Sequence, residues 1–290
     1  MKTPFLILNT YLTAILLSSN VYADVMNLNE LWQVDEFSDP EAVIYAERTN
    51  SLYVSNINGK PAEKDGNGFI SKVSMEGEIV EKNWSTGFNA PKGLAIHGTR
   101  LYVADVDELV EVSLDTGEIL NRYTDSEAKF FNDAVAANDG SIYVADTKTN
   151  TIHQLKNGKF IRWLNSAELR GPNGLLLESE RMLVTAWGTD EGSEAISGQV
   201  LGISMLDKSI TIVGNEHTKG NLDGIKVNNN GDYFITDWML GKLLLLPASG
   251  AVQTLLSLEQ GTADLEYIQS KDILILPMMK SNKLIAYKVQ

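Results

Sequence analysis

The chain has 290 residues, 43% of them hydrophobic and 21% charged, with 38 acidic against 24 basic side chains and a formal net charge of -14. This is an ordinary globular composition with length for one large domain, and the acidic balance argues against a nucleic-acid partner. There is no cysteine, which excludes disulfides, thiolate metal sites, cysteine nucleophiles and a lipid-bearing cysteine.

At the start, Lys2 precedes the run PFLILNTYLTAILL, followed by SSNVYA with Val21 and Ala23 at the minus-three and minus-one positions. This pattern predicts a signal peptide over residues 1–23, cleaved after Ala23, and a periplasmic or secreted mature protein spanning 24–290. An uncleaved anchor is the alternative. No later segment approaches the ~20 apolar residues a membrane span needs, so the mature form is expected to have no membrane contact.

Residues 30–37 (ELWQVDEF) read as a strand. From Glu41 onward one pattern occurs six times: a polar or charged residue, an apolar run, a turn and a second apolar run. The opening slot holds Glu41, Lys92, Asn132, Asn173, Asp223 and Asp264, at steps of 51, 40, 41, 50 and 41 residues. Repeats of this period made of short strands predict an all-β, six-bladed propeller with four antiparallel strands per blade. In the third unit the strands fall near 134–138, 141–145, 151–155 and 159–164, with Asn157-Gly158 as a turn of the kind that requires positive φ. Met75-Glu76-Gly77, Asp115-Thr116-Gly117 and Ala248-Ser249-Gly250 mark further outer turns. The last unit ends at its third strand, 282–289, so residues 30–37 are expected to supply its outer strand and close the ring. An open edge there would invite aggregation.

The two longer steps place extra residues at 56–68 in unit one and 187–198 in unit four. Both insertions follow a second strand, on the face where the slots open, and units one and four are opposite in a ring of six. They are expected to rim the mouth, either as a substrate gate or as neutral surface insertions.

Six slot side chains should converge on one end of the central channel. Glu41 and Asp223 bring two charges, and Asn132 and Asn173 bring amide carbonyls. With water this set suits a hard cation, Ca2+, better than zinc. The only histidines are His97, His153 and His217, and none lies in the slot register. Taken singly, each Asn-Gly or Asp-Gly pair reads equally well as a local turn. Lys92 and Asp264 are charged neighbours: Lys92 as a partner of a substrate anion or of Glu41 or Asp264, and Asp264 as an outer-shell acid or turn residue. Trp187 and Trp238 follow second strands, as a substrate wall or as blade packing. His217 precedes Asp223 in a loop leading to the mouth. Asp105, Asp146 and Asp237 end second strands, where local turn bonds are expected. No GxSxG elbow, Walker loop or dinucleotide fingerprint is present.

In order and spacing, Glu41, Asn132-Asp133, Pro172-Asn173-Gly174 and Asp223-Gly224 resemble the senescence marker protein/gluconolactonase/luciferin-regenerating enzyme group of six-bladed calcium propellers, with paraoxonases and phosphotriesterases as relatives. The resemblance covers residues 30–290. It implies a catalytic calcium held by Glu41, Asn132, Asn173 and Asp223, and Asp223 as general base or nucleophile. Two departures stand out: Phe130 replaces a substrate-contacting Arg of the sugar lactonases, and Lys92 replaces the His of paraoxonase-type enzymes. The expected function is hydrolysis of a small lactone or ester. Calcium would stabilise the oxyanion, with Asp223 and Lys92 catalytic and Asn132, Phe130, Trp187, Trp238 and His217 around the substrate. The alternative is a non-catalytic propeller that binds a ligand or a protein partner, with a structural calcium.

Overall fold

A computed structural model describes residues 26–189, 196–214, 218–247 and 251–290. The segment 1–23, His217 and the turn 248–250 lie outside the described residues.

Six antiparallel sheets make up the ring, and four of their strands run in simple order from the inside outward. Blade one is Pro40–Ala46, Ser51–Asn56, Gly68–Val73 and Ile79–Phe88. Blade two is Pro91–His97, Arg100–Asp105, Glu108–Ser113 and Ile119–Thr124. Blade three is Phe131–Ala136, Ile142–Asp146, Thr151–Lys156 and Lys159–Asn165, within one to three residues of the sequence expectation. Blade four is Pro172–Leu177, Arg181–Ala186, Ile196–Ser204 and Ile210–Val213, and blade five is Leu222–Val227, Tyr233–Asp237, Lys242–Leu246 and Gln253–Ser257. Blade six is Glu266–Ile268, Ile273–Met278 and Lys283–Val289, completed by Leu28–Val34. The closing strand therefore begins two residues earlier and ends three residues earlier than its apolar pattern suggests.

The core lies between blades rather than inside one sheet. Tyr53, Ile70 and Trp84 of blade one pack against Leu101, Val103 and Val110 of blade two, with Tyr53 and Trp84 ring centroids 4.5 Å apart. An equivalent apolar layer fills each of the other five junctions. The second strands are sandwiched on both faces, so Ser51–Asn56, Ile142–Asp146 and Tyr233–Asp237 are buried along their whole length. That explains the consecutive apolar residues at their centres, 52–54, 142–145 and 233–235, which do not alternate as a half-exposed strand would.

Asn157 and Gly158 both have positive φ, 51° and 75°, and join the outer strands of blade three in a two-residue hairpin. The blade-four insertion starts as a short extension in which Gly188–Thr189 pairs with Ser197 and Ile196.

Candidate functional site

The slot residues sit at one repeated irregularity. In blades one to five the first residue of the inner strand pairs with the second strand, and then the register slips before the fourth residue: Pro40/Val43, Pro91/Leu94, Phe131/Ala134, Pro172/Leu175 and Leu222/Ile225. A bulge at this point re-aims the residues it spans, which are the slot residue and its follower. In blade six Asp264 lies just before the strand. It bridges Ala42 in parallel and donates its backbone N–H to Glu41 O at 2.9 Å.

The glycines after the slots are not turn residues. Gly93, Gly174 and Gly224 are absent from the positive-φ positions. A Cβ on Gly174 would instead fall inside contact distance of Asp223 O and Thr185 Oγ1. One on Gly224 would meet Asp264 Oδ1 and the backbone of Leu265. Glycine lets the inner strands of neighbouring blades approach, which is what brings the slot side chains together.

Glu41, Lys92, Asn132, Asn173 and Asp223 all line one cavity of about 810 Å³, together with Phe130, Trp187 and Trp238. Eight of the nine residues expected at the site are thus gathered in one space; the ninth, His217, lies outside the described residues. Pro61 and Ala62 of the first insertion and Gly188 and Thr189 of the second also line it, so both insertions reach the mouth.

The four expected ligands are buried, between 1% and 8% exposed. Glu41 Oε2, Asn173 Oδ1 and Asp223 Oδ1 have no hydrogen-bond partner. Asn132 Nδ2 donates to Thr147 Oγ1 at 3.3 Å and Asn173 Nδ2 to Leu222 O at 3.3 Å, and the Asn173 side chain also hydrogen-bonds the Asp223 carboxyl. Orphaned buried oxygens cost roughly 1–3 kcal/mol each or more, and coordination to a cation removes that cost. The set fits a hard divalent ion: two carboxylates, two amide carbonyls, and buried oxygens otherwise unpartnered. Among the described residues no group of three or more His, Cys, Asp or Glu could hold a metal, so the amides are needed to complete this ring.

Burial raises the pKa of Glu41 well above the ordinary carboxylate value, and the negative charges of Asp223, Asp264 and Asp133 add to it. Asp223 is raised in the same way by burial, Asp264 and Asp133. Burial lowers Lys92 to about 8 against the pull of Glu41. Lys92 is not ion-paired within 4.0 Å among the described residues. Its Nζ donates to Ala90 O at 2.9 Å and stands 4.5 Å from the centre of the Phe130 ring. The Trp187 and Trp238 rings are 5.8 Å apart at 58°. Trp238 also packs on the small apolar cluster of Ile57, Ala90, Val106, Ala263 and Met279, so it serves both as wall and as packing.

Sequence reasoning missed that Asp133 and Lys226 join Asp264 in a second charged group beside the ring. Asp133 accepts from Ala134 N and Leu175 N, both at 2.6 Å, tying blade three to blade four. Asp264, expected as an outer-shell acid or a turn residue, is buried beside the ring, with Lys226 Nζ 4.0 Å from its Oδ1. Burial opposes the Lys226 charge, but Asp264, Glu266 and Asp133 outweigh it and raise its pKa. The repeat carried a signal for this: three residues after the slot stand Ile44, Ala95, Val135, Leu176, Lys226 and Tyr267, a single charge among apolar or aromatic residues.

The remaining candidates are structural. Asp105 accepts from Asn89 N and Ala90 N, Asp146 from Lys129 N and Phe130 N, and Asp237 from Leu240 N. His153 is buried between Phe131 and Phe160, away from the cavity. His97 is exposed at the far end of its strand.

Residues 40–260 match the model of the SMP-30/Gluconolactonase/LRE-like region. The chain belongs to that family. Among solved structures, a gluconolactonase from Xanthomonas campestris is 15% identical with a TM-score of 0.70, over 91% of this chain and 90% of that one. A streptogramin B lyase is 11% identical with a TM-score of 0.64, over 91% and 98%. A catalytically inactive virginiamycin B lyase from Staphylococcus aureus, with quinupristin, is 14% identical with a TM-score of 0.61, over 91% and 99%. These likenesses establish a shared six-bladed fold. No curated protein matches the chain.

Proposed function

We propose that this family member is a calcium-dependent hydrolase of a small lactone or ester, exported after removal of residues 1–23. The observation that supports it most is the ring itself. Glu41, Asn132, Asn173 and Asp223 occupy equivalent bulges of four blades, face one cavity and hold three unpartnered buried oxygens.

A cation bound there would supply positive charge to the oxyanion that develops on a substrate carbonyl. The chain's own residues do the rest. Asp223 brings a carboxylate to the cavity, and burial among other acids raises its basicity, as a general base for water requires. Asn132 and Asn173 are fixed through their amide nitrogens, so their oxygens need no reordering. Trp187 and Trp238 cover apolar substrate surface, and with Phe130 they keep bulk water from the ring.

A panel of aliphatic, sugar and aryl lactones and esters, assayed with and without calcium, tests this reading. Calcium-dependent turnover of one class is expected. Uniform inactivity would favour the alternative, a propeller that binds a ligand or protein without catalysis. N-terminal sequencing of the exported protein should begin at Asp24; an intact Met1 would rule out cleavage.

A further inference from the structure

The cavity carries charge that the ring does not use. Among the described residues that line it, every charged side chain outside Glu41 and Asp223 is a lysine: Lys92, Lys129 and Lys148. This is unusual in a chain whose acids outnumber its bases by 38 to 24. Several lysines elsewhere are paired, Lys60 with Glu63, Lys64 with Asp107 and Lys156 with Asp139. Among the described residues none of the three cavity lysines lies within 4.0 Å of a carboxylate.

Two of them share one aromatic ring. Lys92 Nζ is 4.5 Å and Lys148 Nζ 5.1 Å from the Phe130 centroid. Burial depresses the Lys92 pKa, Glu41 and Asp105 oppose this, and the charge of Lys148 adds to the depression. A fourth, Lys280, stands 5.4 Å from the Trp238 ring. Lys92 is 2% exposed and offers three donors, of which one carbonyl, that of Ala90, is met within hydrogen-bond distance. A buried ammonium left with so few partners is costly. If a divalent cation neutralised Glu41 and Asp223, Asp105 would still act on Lys92, but Lys129 and Lys148 would have no carboxylate within 4.0 Å among the described residues.

We infer that the substrate carries an oxyanionic group, a carboxylate or phosphate, in addition to its reactive carbonyl. Lys92 and Lys148 bind this group over the Phe130 ring while the Trp187–Trp238 wall takes the apolar part. Phe130 fits such a role, since its face holds two ammonium groups in place without neutralising them. This inference rests on the hydrolase reading for the position of the carbonyl but not for the binding of the anion.

The test uses three forms of one lactone: a carboxylated form, its neutral methyl ester and a phosphorylated counterpart. The native protein should prefer one of the anionic forms by at least about tenfold in kcat/KM, and that form names the anion. Lys148→Met should reduce the anionic-to-neutral ratio about tenfold, mainly through KM, and Lys148→Glu should reverse it. Lys148 is exposed, so these variants should fold even where Lys92→Met does not. The preference should also shrink with added salt. Equal turnover of charged and neutral forms, or a ratio indifferent to Lys148, would overturn the inference while leaving the hydrolase reading intact. If no form is turned over, the hydrolase reading fails, and calorimetric titration with the ring-opened acids and their methyl esters decides the inference alone. Anion-selective binding lost in Lys148→Glu would uphold it, and equal binding would overturn it.

Discussion

Asp223 combines two demands that conflict in water. It should be ionised to hold a cation and basic enough to accept a proton. Burial and the neighbouring Asp264 and Asp133 raise its basicity, and a bound cation would restore the charge. Asp223→Asn keeps the shape and an oxygen but removes the base. Turnover is expected to fall at least ~100-fold, with circular dichroism and melting temperature little changed; retained turnover would remove Asp223 from the base role. Gly174 is the other residue that decides the site. Gly174→Ala pushes a methyl into Asp223 O and Thr185 and should cost about 1–3 kcal/mol, read as a lower melting temperature together with weaker cation binding. An unchanged variant would mean that the inner strands do not need this approach. The sequence announced Asn173-Gly174 and Asp223-Gly224 as pairs but left their reason open. Turn and ligand readings share the same letters, and only the contact with the next blade separates them.

At the scale of the element, the informative unit is the bulged start of each inner strand. Its repetition in five blades was visible as a slot, yet the bulge was not, because a bulge is a register relation between two strands and has no composition of its own. The ring closure was more legible. An incomplete last unit and an orphan strand at the start allow one sensible pairing, and Leu28–Val34 makes it with Lys283–Val289. Trp32 of that strand reaches beyond its own blade: its Nε1 donates to Met75 O at 2.9 Å, and its ring covers Gly77 of blade one. It therefore latches the closing blade to the first. Trp32→Ala should destabilise the protein by about 2 kcal/mol, measured by denaturant unfolding, and should promote association through the loosened edge. A midpoint equal to the native one would show that the latch contributes nothing.

For the whole molecule, the cation and the fold are linked. Glu41, Asp133 and Asp223 have raised pKa values, from burial first and mutual repulsion second. A carboxyl raised on folding favours the folded state below its unfolded pKa. That advantage is lost as pH climbs through the raised value. Lys92, at about 8, stays largely charged below that point and does not change the sign. Cation-free protein should therefore lose melting temperature between about pH 5 and about pH 8, and added calcium should oppose the loss most at the upper end, where the ligands are ionised. A stability that rises over this range without metal would contradict the clustered acids. The six-fold plan and the ring were legible because they repeat. Lys226, Glu266, Lys129 and Lys148 were not, because each occurs once and acquires meaning only from its neighbours in the folded ring.

Calorimetric titration of calcium into chelator-treated protein, run beside the Glu41→Gln variant, tests the ring most directly. One calcium per chain is expected, with a higher melting temperature in its presence and much weaker binding in the variant. No binding and an unmoved melting temperature, or binding that ignores Glu41, would show that the ring is not a cation site.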